Sequence, residues 1–355
     1  PNGADLPELG GVKGINHRGF IPTGETILFL LAGTDVHERL QVMHLFNPDQ
    51  PLAMHHILKI ESIQEGEPLW SGKLIINAEI LEKLRSGGLS HPPISAEFPA
   101  KPITTHLDWN NLVINKTTMA EVETIQNWLA HHQNMVKAWG LQHMFKAGYK
   151  ALFYGPPGTG KTFTATLLGK QFKKEVYRID LSQVVSKYIG ETEKNLEKVF
   201  QKAENKNWIL FFDEADALFG KRTSISNAHD RYANQETAYL LQRIEDFDGL
   251  VILASNDKSN IDPAFVRRFN AIVHFPVPDP EERLHLWNIY LPQKNNLSRE
   301  EVNEISAKYE VTGSTVLNAI HHSAINAFAS KRLISYHDVI ESLKREMRKE
   351  DRMLN

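Results

Sequence analysis

One run of eight residues constrains this chain more than any other: Gly155-Pro156-Pro157-Gly158-Thr159-Gly160-Lys161-Thr162. It follows a short apolar stretch, Ala151-Leu152-Phe153-Tyr154, and opens a helical one, Phe163 to Phe172. Strand, glycine-rich loop and helix in that order predict a phosphate-binding loop of the Walker A kind. Glycines let backbone N–H groups converge on phosphate oxygens, and the helix N-terminus adds positive potential. Lys161 is expected to reach the β- and γ-phosphates of ATP, and Thr162 to place its hydroxyl on Mg²⁺. Phe163, at the head of the helix, completes the candidate loop.

A second element follows downstream, Trp208-Ile209-Leu210-Phe211-Phe212-Asp213-Glu214-Ala215-Asp216. An apolar strand here delivers two acids to its C-terminal end. Asp213 is expected to hold Mg²⁺ and Glu214 to polarise the attacking water, because phosphoryl transfer needs positioning and charge neutralisation above all. Leu253-Ala254-Ser255-Asn256 ends the next apolar run. Asn at a strand end is usually a turn former, but in this array Asn256 is placed to sense the γ-phosphate.

From Lys150 the pattern alternates. Nearly continuous apolar runs at 151–154, 176–179, 208–212, 250–254 and 271–275 predict five strands of a parallel sheet covered on both faces. Amphipathic stretches lie between them, one with Leu196, Val199, Phe200 and Ala203 in register, another with Thr237, Leu240, Leu241 and Ile244. The fold class is therefore α/β, a P-loop NTPase array of βαβ units. After Pro276–Pro280 the chain reads as helix throughout, over 281–291, a segment capped by Ser298 and Glu301, 313–329 and 337–348. Upstream, Thr118 to Glu121 reads as a capping box before a helix carrying Val122, Ile125 and Leu129.

Residues 1–20 read as a loose lead-in without a secretory signal, and the start at Pro1 predicts a fragment or a processed chain. Helical spacing over 35–46, short strands at 57–60 and 73–76 and a helix over 78–84 predict a winged-helix-like module or another small α+β domain. Pro92, Pro93, Pro99 and Pro102 mark a semi-rigid linker. The expected domains are thus 1–90, a linker at 91–104, a large nucleotide domain at 105–278 and a helical lid at 279–355.

Composition narrows the function. Lys and Arg number 40 against 43 Asp and Glu, a net charge of −3, so no basic field points to nucleic acid or an anionic membrane. There is no cysteine, which excludes disulfides and thiol chemistry and predicts a cytoplasmic setting. No apolar run approaches the roughly 18 residues of a membrane span. The 16 histidines show no metal-ligand spacing and read as core or surface residues.

Taken together, these motifs resemble the AAA+ ATPases, specifically the AAA-proper group that includes FtsH, katanin and spastin. The likeness covers about residues 105–345. It includes Asn260-Ile261-Asp262-Pro263-Ala264-Phe265-Val266-Arg267-Arg268-Phe269, similar to that family's second region of homology. The resemblance implies a ring-shaped homo-oligomer, a hexamer, in which Arg267 and Arg268 reach a neighbour's γ-phosphate. Their adjacency departs from the commoner Arg-Pro-Gly-Arg form and leaves open which of the two dominates. Ser186-Lys187-Tyr188-Ile189-Gly190-Glu191 is similar to the first pore loop, implying that Lys187, Tyr188 and Ile189 grip a protein substrate. Position alone implies adenosine contacts at Leu112 and Val113 and, from the lid, at Gly313 and Ser314, with no lid arginine among 311–314. A narrower likeness, to ATPases encoded beside contractile phage-tail-like injection systems, rests on 159–250, on Phe219-Gly220-Lys221-Arg222 and on Pro68-Leu69-Trp70-Ser71-Gly72-Lys73-Leu74.

Three functions compete at this stage. The first is an ATP-driven motor that threads or remodels protein through a pore, favoured by Tyr188. The second is a nucleotide-dependent assembly factor or scaffold that changes shape without threading. The third, a DNA-linked ATPase using the N-terminal module, is disfavoured because 35–84 is not notably basic. A fused zinc protease is excluded, since no His-Glu-x-x-His stretch exists.

Overall fold

The computed structural model describes residues 9–13, 19–54, 57–63, 66–77, 80–81, 98–141, 143–144, 148–181, 191–216 and 228–349. The chain divides into two compact units, Pro1–Pro93 and Ile94–Asn355.

In the first unit a two-stranded pair, β1 (Val12–Lys13) with β2 (Phe20–Ile21), precedes helices α1 (Gly24–Ala32), α2 (Val36–His44) and α3 (Pro51–Met54). β3 (Leu58–Ile60) then pairs antiparallel with β4 (Leu74–Ile76). Thr23 caps α1 with a reciprocal capping box, and Asp35 caps α2 through the His37 and Glu38 amides. Phe46 meets Trp70 edge to face at 5.3 Å, which ties the end of the helical part to the turn before β4. The helix expected over 78–84 lies largely outside the described residues.

The second unit is built on a six-stranded sheet in the order β10-β6-β9-β8-β7-β5. Its strands are β5 (Ala100–Ile103), β6 (Tyr149–Tyr154), β7 (Val176–Asp180), β8 (Ile209–Asp213), β9 (Leu250–Ser255) and β10 (Ala271–His274). All neighbours are parallel except β5, which runs antiparallel to β7. The five parallel strands fall where the apolar runs predict them. β5 corrects the sequence reading, which counts five strands and places 100–103 in a linker. Pro102 lacks an N–H and so is confined to an edge, and an edge strand needs no continuous apolar run.

Alternation within each strand feeds two cores. Tyr177, Ile179, Leu210, Phe212, Val251 and Leu253 face one side, packed under α6 (Glu191–Lys206) and α7 (Ala228–Asp246). Ala151, Phe153, Ile209, Phe211, Ile252 and Ala254 face the other, under α4 (Lys116–Ala138) and α5 (Lys161–Phe172). Each leucine, isoleucine, valine or phenylalanine among them contributes about 1.5–3 kcal/mol by burial. α4 starts earlier than the expected capping box at Thr118 and Glu121: Asn115 is the N-cap, and its side chain accepts from the Thr118 amide at 2.7 Å. Asn-Lys-Thr-Thr offers two candidate caps, and Asn is the stronger.

The four helices beyond the sheet are α9 (Pro280–Tyr290), α10 (Arg299–Lys308), α11 (Gly313–Ala329) and α12 (Tyr336–Lys349), following the short α8 (Pro263–Val266). Asp279 with Glu282, and Ser298 with Glu301, form capping boxes. These helices share their own core, including Trp287, Ile305, Val316, Ala319 and Leu343. Buried Arg283 donates to the Ser306 carbonyl at 2.7 Å and the Pro278 carbonyl at 2.6 Å, so one guanidinium ties the end of α10 to the start of α9. Asp338 is bonded by Arg332, at 2.6 Å from Nη2, and by Ser335, which hold its carboxyl below the usual range. Among the described residues no helix is long and apolar enough to cross a membrane.

The junction between α5 and β7 depends on a missing side chain. A Cβ on Gly169 would stand 2.3 Å from Val176 Cγ2 and 2.8 Å from the Lys174 carbonyl. Gly169→Ala should therefore destabilise the unit by roughly 1–3 kcal/mol through overpacking, despite alanine's better helix propensity, as read by urea unfolding. An unchanged or higher midpoint would show that the junction relaxes freely.

Candidate nucleotide site

The order β6-β9-β8 sets the site. β6 ends at the glycine-rich loop, β8 ends at Asp213, and β9, lying between them, ends one residue before Asn256. Because the three strands are parallel, their carboxyl ends open on one edge, the usual crevice of such sheets. A cavity of about 490 Å³ lies there.

Pro157, Gly158, Thr159, Gly160, Lys161, Thr162 and Phe163 line it from the loop and α5, Asp213 and Glu214 from the end of β8, and Asn256 from β9. Leu112 and Val113 line it from the segment before α4, and Gly313 and Ser314 from the start of α11. Gly155 and Pro156 stand behind the lining: their carbonyls accept from the Lys161 ammonium at 2.5 and 3.0 Å. Sequence reasoning missed Leu107, Asn111, Pro278, Leu286, Tyr290 and Leu317, which complete the wall. Leu286 and Tyr290 carry no motif; they read as ordinary core positions of α9.

The loop is held by contacts that only glycine permits. Gly158 has φ +78, and a Cβ there would lie 1.8 Å from Ser314 Oγ. The Ser314 amide donates to the Gly158 carbonyl at 3.3 Å, so the first turn of α11 sits directly on the loop. Thr159 Oγ1 closes the turn onto the Pro156 carbonyl at 2.8 Å.

The residues present fit a magnesium nucleotide. Gly160, the N-cap of α5, provides no side-chain cap, so the first-turn amides are left for a ligand at the positive end of the helix. Lys161 is buried, and its Nζ also lies 3.3 Å from Asn256 Oδ1. Burial pulls its ammonium down to about 8, against the opposing pull of Asp213 and Asp216. A phosphate would supply the anionic partner that its three bonded oxygens do not. The Thr162 hydroxyl and Asp213 carboxylate are the hard oxygen donors that Mg²⁺ prefers. Glu214 has φ +53, a left-handed backbone that costs a non-glycine residue about 1–3 kcal/mol. The next amide, of Ala215, pins this turn by donating to the Ala254 carbonyl at 2.8 Å.

Other expected site residues lie elsewhere. Neither Arg267 nor Arg268 lines the cavity. Arg268, half exposed, instead pairs with Glu245 near the end of α7. Lys187, Tyr188 and Ile189 lie outside the described residues, as do 219–222.

Fold and site together are those of a P-loop NTPase, with residues that fit ATP and Mg²⁺. Residues 151–277 match the family described as "ATPase family associated with various cellular activities (AAA)". The chain is similar to a proteasome-activating nucleotidase of Saccharolobus solfataricus, 29% identical over 213 residues, 57% of this chain and 54% of the relative. It is 31% identical over 194 residues to cell division protein C of Sulfolobus acidocaldarius, 51% of this chain and 52% of the relative. It is 30% identical over 243 residues to a 26S proteasome regulatory subunit 6B homolog of Dictyostelium discoideum, 66% of this chain and 58% of the relative. The chain thus spans about half the length of the curated relatives it matches.

Two substitutions separate binding from turnover. Lys161→Ala should weaken ATP binding at least about ten-fold, or ~1.4 kcal/mol, by calorimetry. Glu214→Gln should leave that affinity nearly unchanged and lower kcat by about 10²–10⁴, the range of a lost general base. Unchanged affinity in the first, or near-normal turnover in the second, would contradict the respective assignment.

Proposed function

We propose that this chain is a subunit of a ring-shaped homo-oligomer, a hexamer, that hydrolyses ATP with Mg²⁺ and uses the cycle to remodel or thread protein. The observation that carries the reading is the seating of α11 on the loop. Gly313 and Ser314 line the same cavity as Lys161 and Asp213, so a nucleotide is clasped between sheet and lid. Whatever changes at the phosphates is felt by the helices beyond the sheet.

Each side chain then has a task. The α5 amides and Lys161 bind the phosphates. Asp213 and Thr162 hold Mg²⁺, which when bound neutralises phosphate charge. Glu214 orients the attacking water, and Asn256, already within reach of Lys161, reads the γ-phosphate. Leu112, Val113, Leu286 and Tyr290 offer the apolar wall that a base requires. Arg267 and Arg268 act on a neighbour's site, a reading supported by their absence from their own cavity. Arg267 is the better finger, because Arg268 is already paired with Glu245.

Remodelling of protein is supported by the relatives' names, which place them with proteasomes, and by the aromatic of the pore-loop sequence at Tyr188. The first unit, with its helices and antiparallel β3–β4 pair, is read as a winged-helix-like module for protein contacts, consistent with its modest basic content. The finer proposal is assembly of a contractile injection particle, supported by the run at 68–74 and that at 219–222. Sheath and tube genes beside this one would support it, and their absence would remove it.

Tyr188→Ala should leave basal hydrolysis within about two-fold and abolish unfolding of a tagged test protein; full remodelling by the variant would favour a shape switch without threading.

Subunit sharing is tested by mixing. Glu214→Gln subunits keep their arginines, and Arg267→Ala/Arg268→Ala subunits keep their acids. Each alone should be nearly inactive, since a finger in trans is worth about 10³–10⁵, and mixed rings should regain partial turnover. Mixed rings that form without recovering activity would place the arginines in a structural role.

A further inference from the structure

Asp213 is claimed from a second direction. In the parallel register of β7 and β8, Asp180 lies opposite Asp213 and Arg178 opposite Phe211. Tyr177 and Ile179 belong to one core with Leu210 and Phe212, and Phe211 belongs to the other. Arg178 therefore shares the face of Phe211 and Asp213, diagonal to the acid and two residues short of it, a span that a long side chain can bridge. Its Nη2 stands 3.0 Å from Asp213 Oδ2. The other oxygen, Oδ1, accepts from the Glu214 amide at 3.1 Å. Both carboxylate oxygens are thus engaged by protein donors, and one of those donors is a cation. Among the described residues Arg178 Nε is buried without a hydrogen-bond partner, and Asp213 is the carboxylate this guanidinium pairs with.

We propose that Arg178 is a positioning residue that competes with Mg²⁺ for Asp213, loosening the metal and with it the metal-dependent grip on nucleotide. The inference rests on the reading of Asp213 as a metal ligand. Oδ2 cannot give its full charge to two cations, and a guanidinium beside the metal repels it. The sheet register fixes the backbone of Arg178 on that diagonal, within reach of Asp213. A ring that must release product at every cycle gains from a metal site held below its greatest affinity.

The test uses the full chain and a fluorescent ADP, with Mg²⁺ titrated at constant nucleotide, so the readout is binding rather than turnover. R178Q should lower the half-saturating Mg²⁺ concentration by roughly three- to ten-fold, the scale expected for removing one nearby charge. R178K keeps a charge but loses the planar fork, and should shift in the same direction by less. On a D213N background, R178Q should shift the midpoint by less, because the contested carboxylate is gone and only the direct repulsion of the metal remains. An unchanged midpoint in R178Q would overturn the proposal. So would a rise of about 10–100-fold, the usual cost of removing a group that orients a metal ligand. If R178Q does not fold by circular dichroism, R178K decides, and an unchanged midpoint there counts against the proposal. A wild-type chain that binds the fluorescent ADP with no Mg²⁺ dependence would instead overturn the metal-ligand reading of Asp213.

Discussion

Parallel pairing of β6, β9 and β8 is the constraint on which the rest depends. Parallel strands all end on the same edge, so a loop, a pair of acids and an asparagine from distant parts of the chain converge without specific contacts to recruit them. The cost is burial on both faces, which the near-continuous apolar runs meet. β9 is buried along its whole length, and it is also the strand that separates the loop from the acids. Its central place is therefore a packing requirement and a functional spacer together: Asn256 emerges between Lys161 and Asp213 because β9 does.

Much of this was legible in the chain. Five strands could be read because burial on both faces demands unbroken apolar runs, a pattern composition alone rarely produces. The loop could be read because its glycines serve a backbone role that other residues cannot fill. β5 escaped because an edge strand with Pro102 obeys neither rule. The start of α4 was misplaced because Asn115 and Thr118 both suit an N-cap, and local propensity ranks them only weakly. Leu286 and Tyr290 were hidden for a different reason: a wall residue and a core residue have the same apolar spacing, and only the placement of the lid tells them apart. Arg178 was invisible because its meaning lies in a diagonal between neighbouring strands, which no linear spacing records.

The arginine pair shows how structure refines a motif. Adjacent in sequence, Arg267 and Arg268 look interchangeable. Both are exposed after α8, and Arg268 meets Glu245 at the end of α7. An exposed pair of this kind contributes little to stability, about 0–1 kcal/mol, so its value lies in where it holds the guanidinium. Glu245 also lies close in sequence to Phe247, whose carbonyl accepts at 3.4 Å from buried Lys150 of β6, the strand that leads to the loop. The outer arginine and the inner sheet are thus joined through a single helix end.

The lid adds the last step. Val113 packs against the lid core while also lining the cavity, and Ser314 rests on Gly158. The segment before α4 and the first turn of α11 therefore both line the nucleotide wall; Val113 is anchored to the helical core, while Trp109 and Ile114 beside it pack against the sheet. Because the lid core is packed around Trp287 and tied internally by Arg283, it cannot absorb a change at that wall by deforming one side chain at a time. A core packed this densely is stiff, and it transmits strain rather than absorbing it locally.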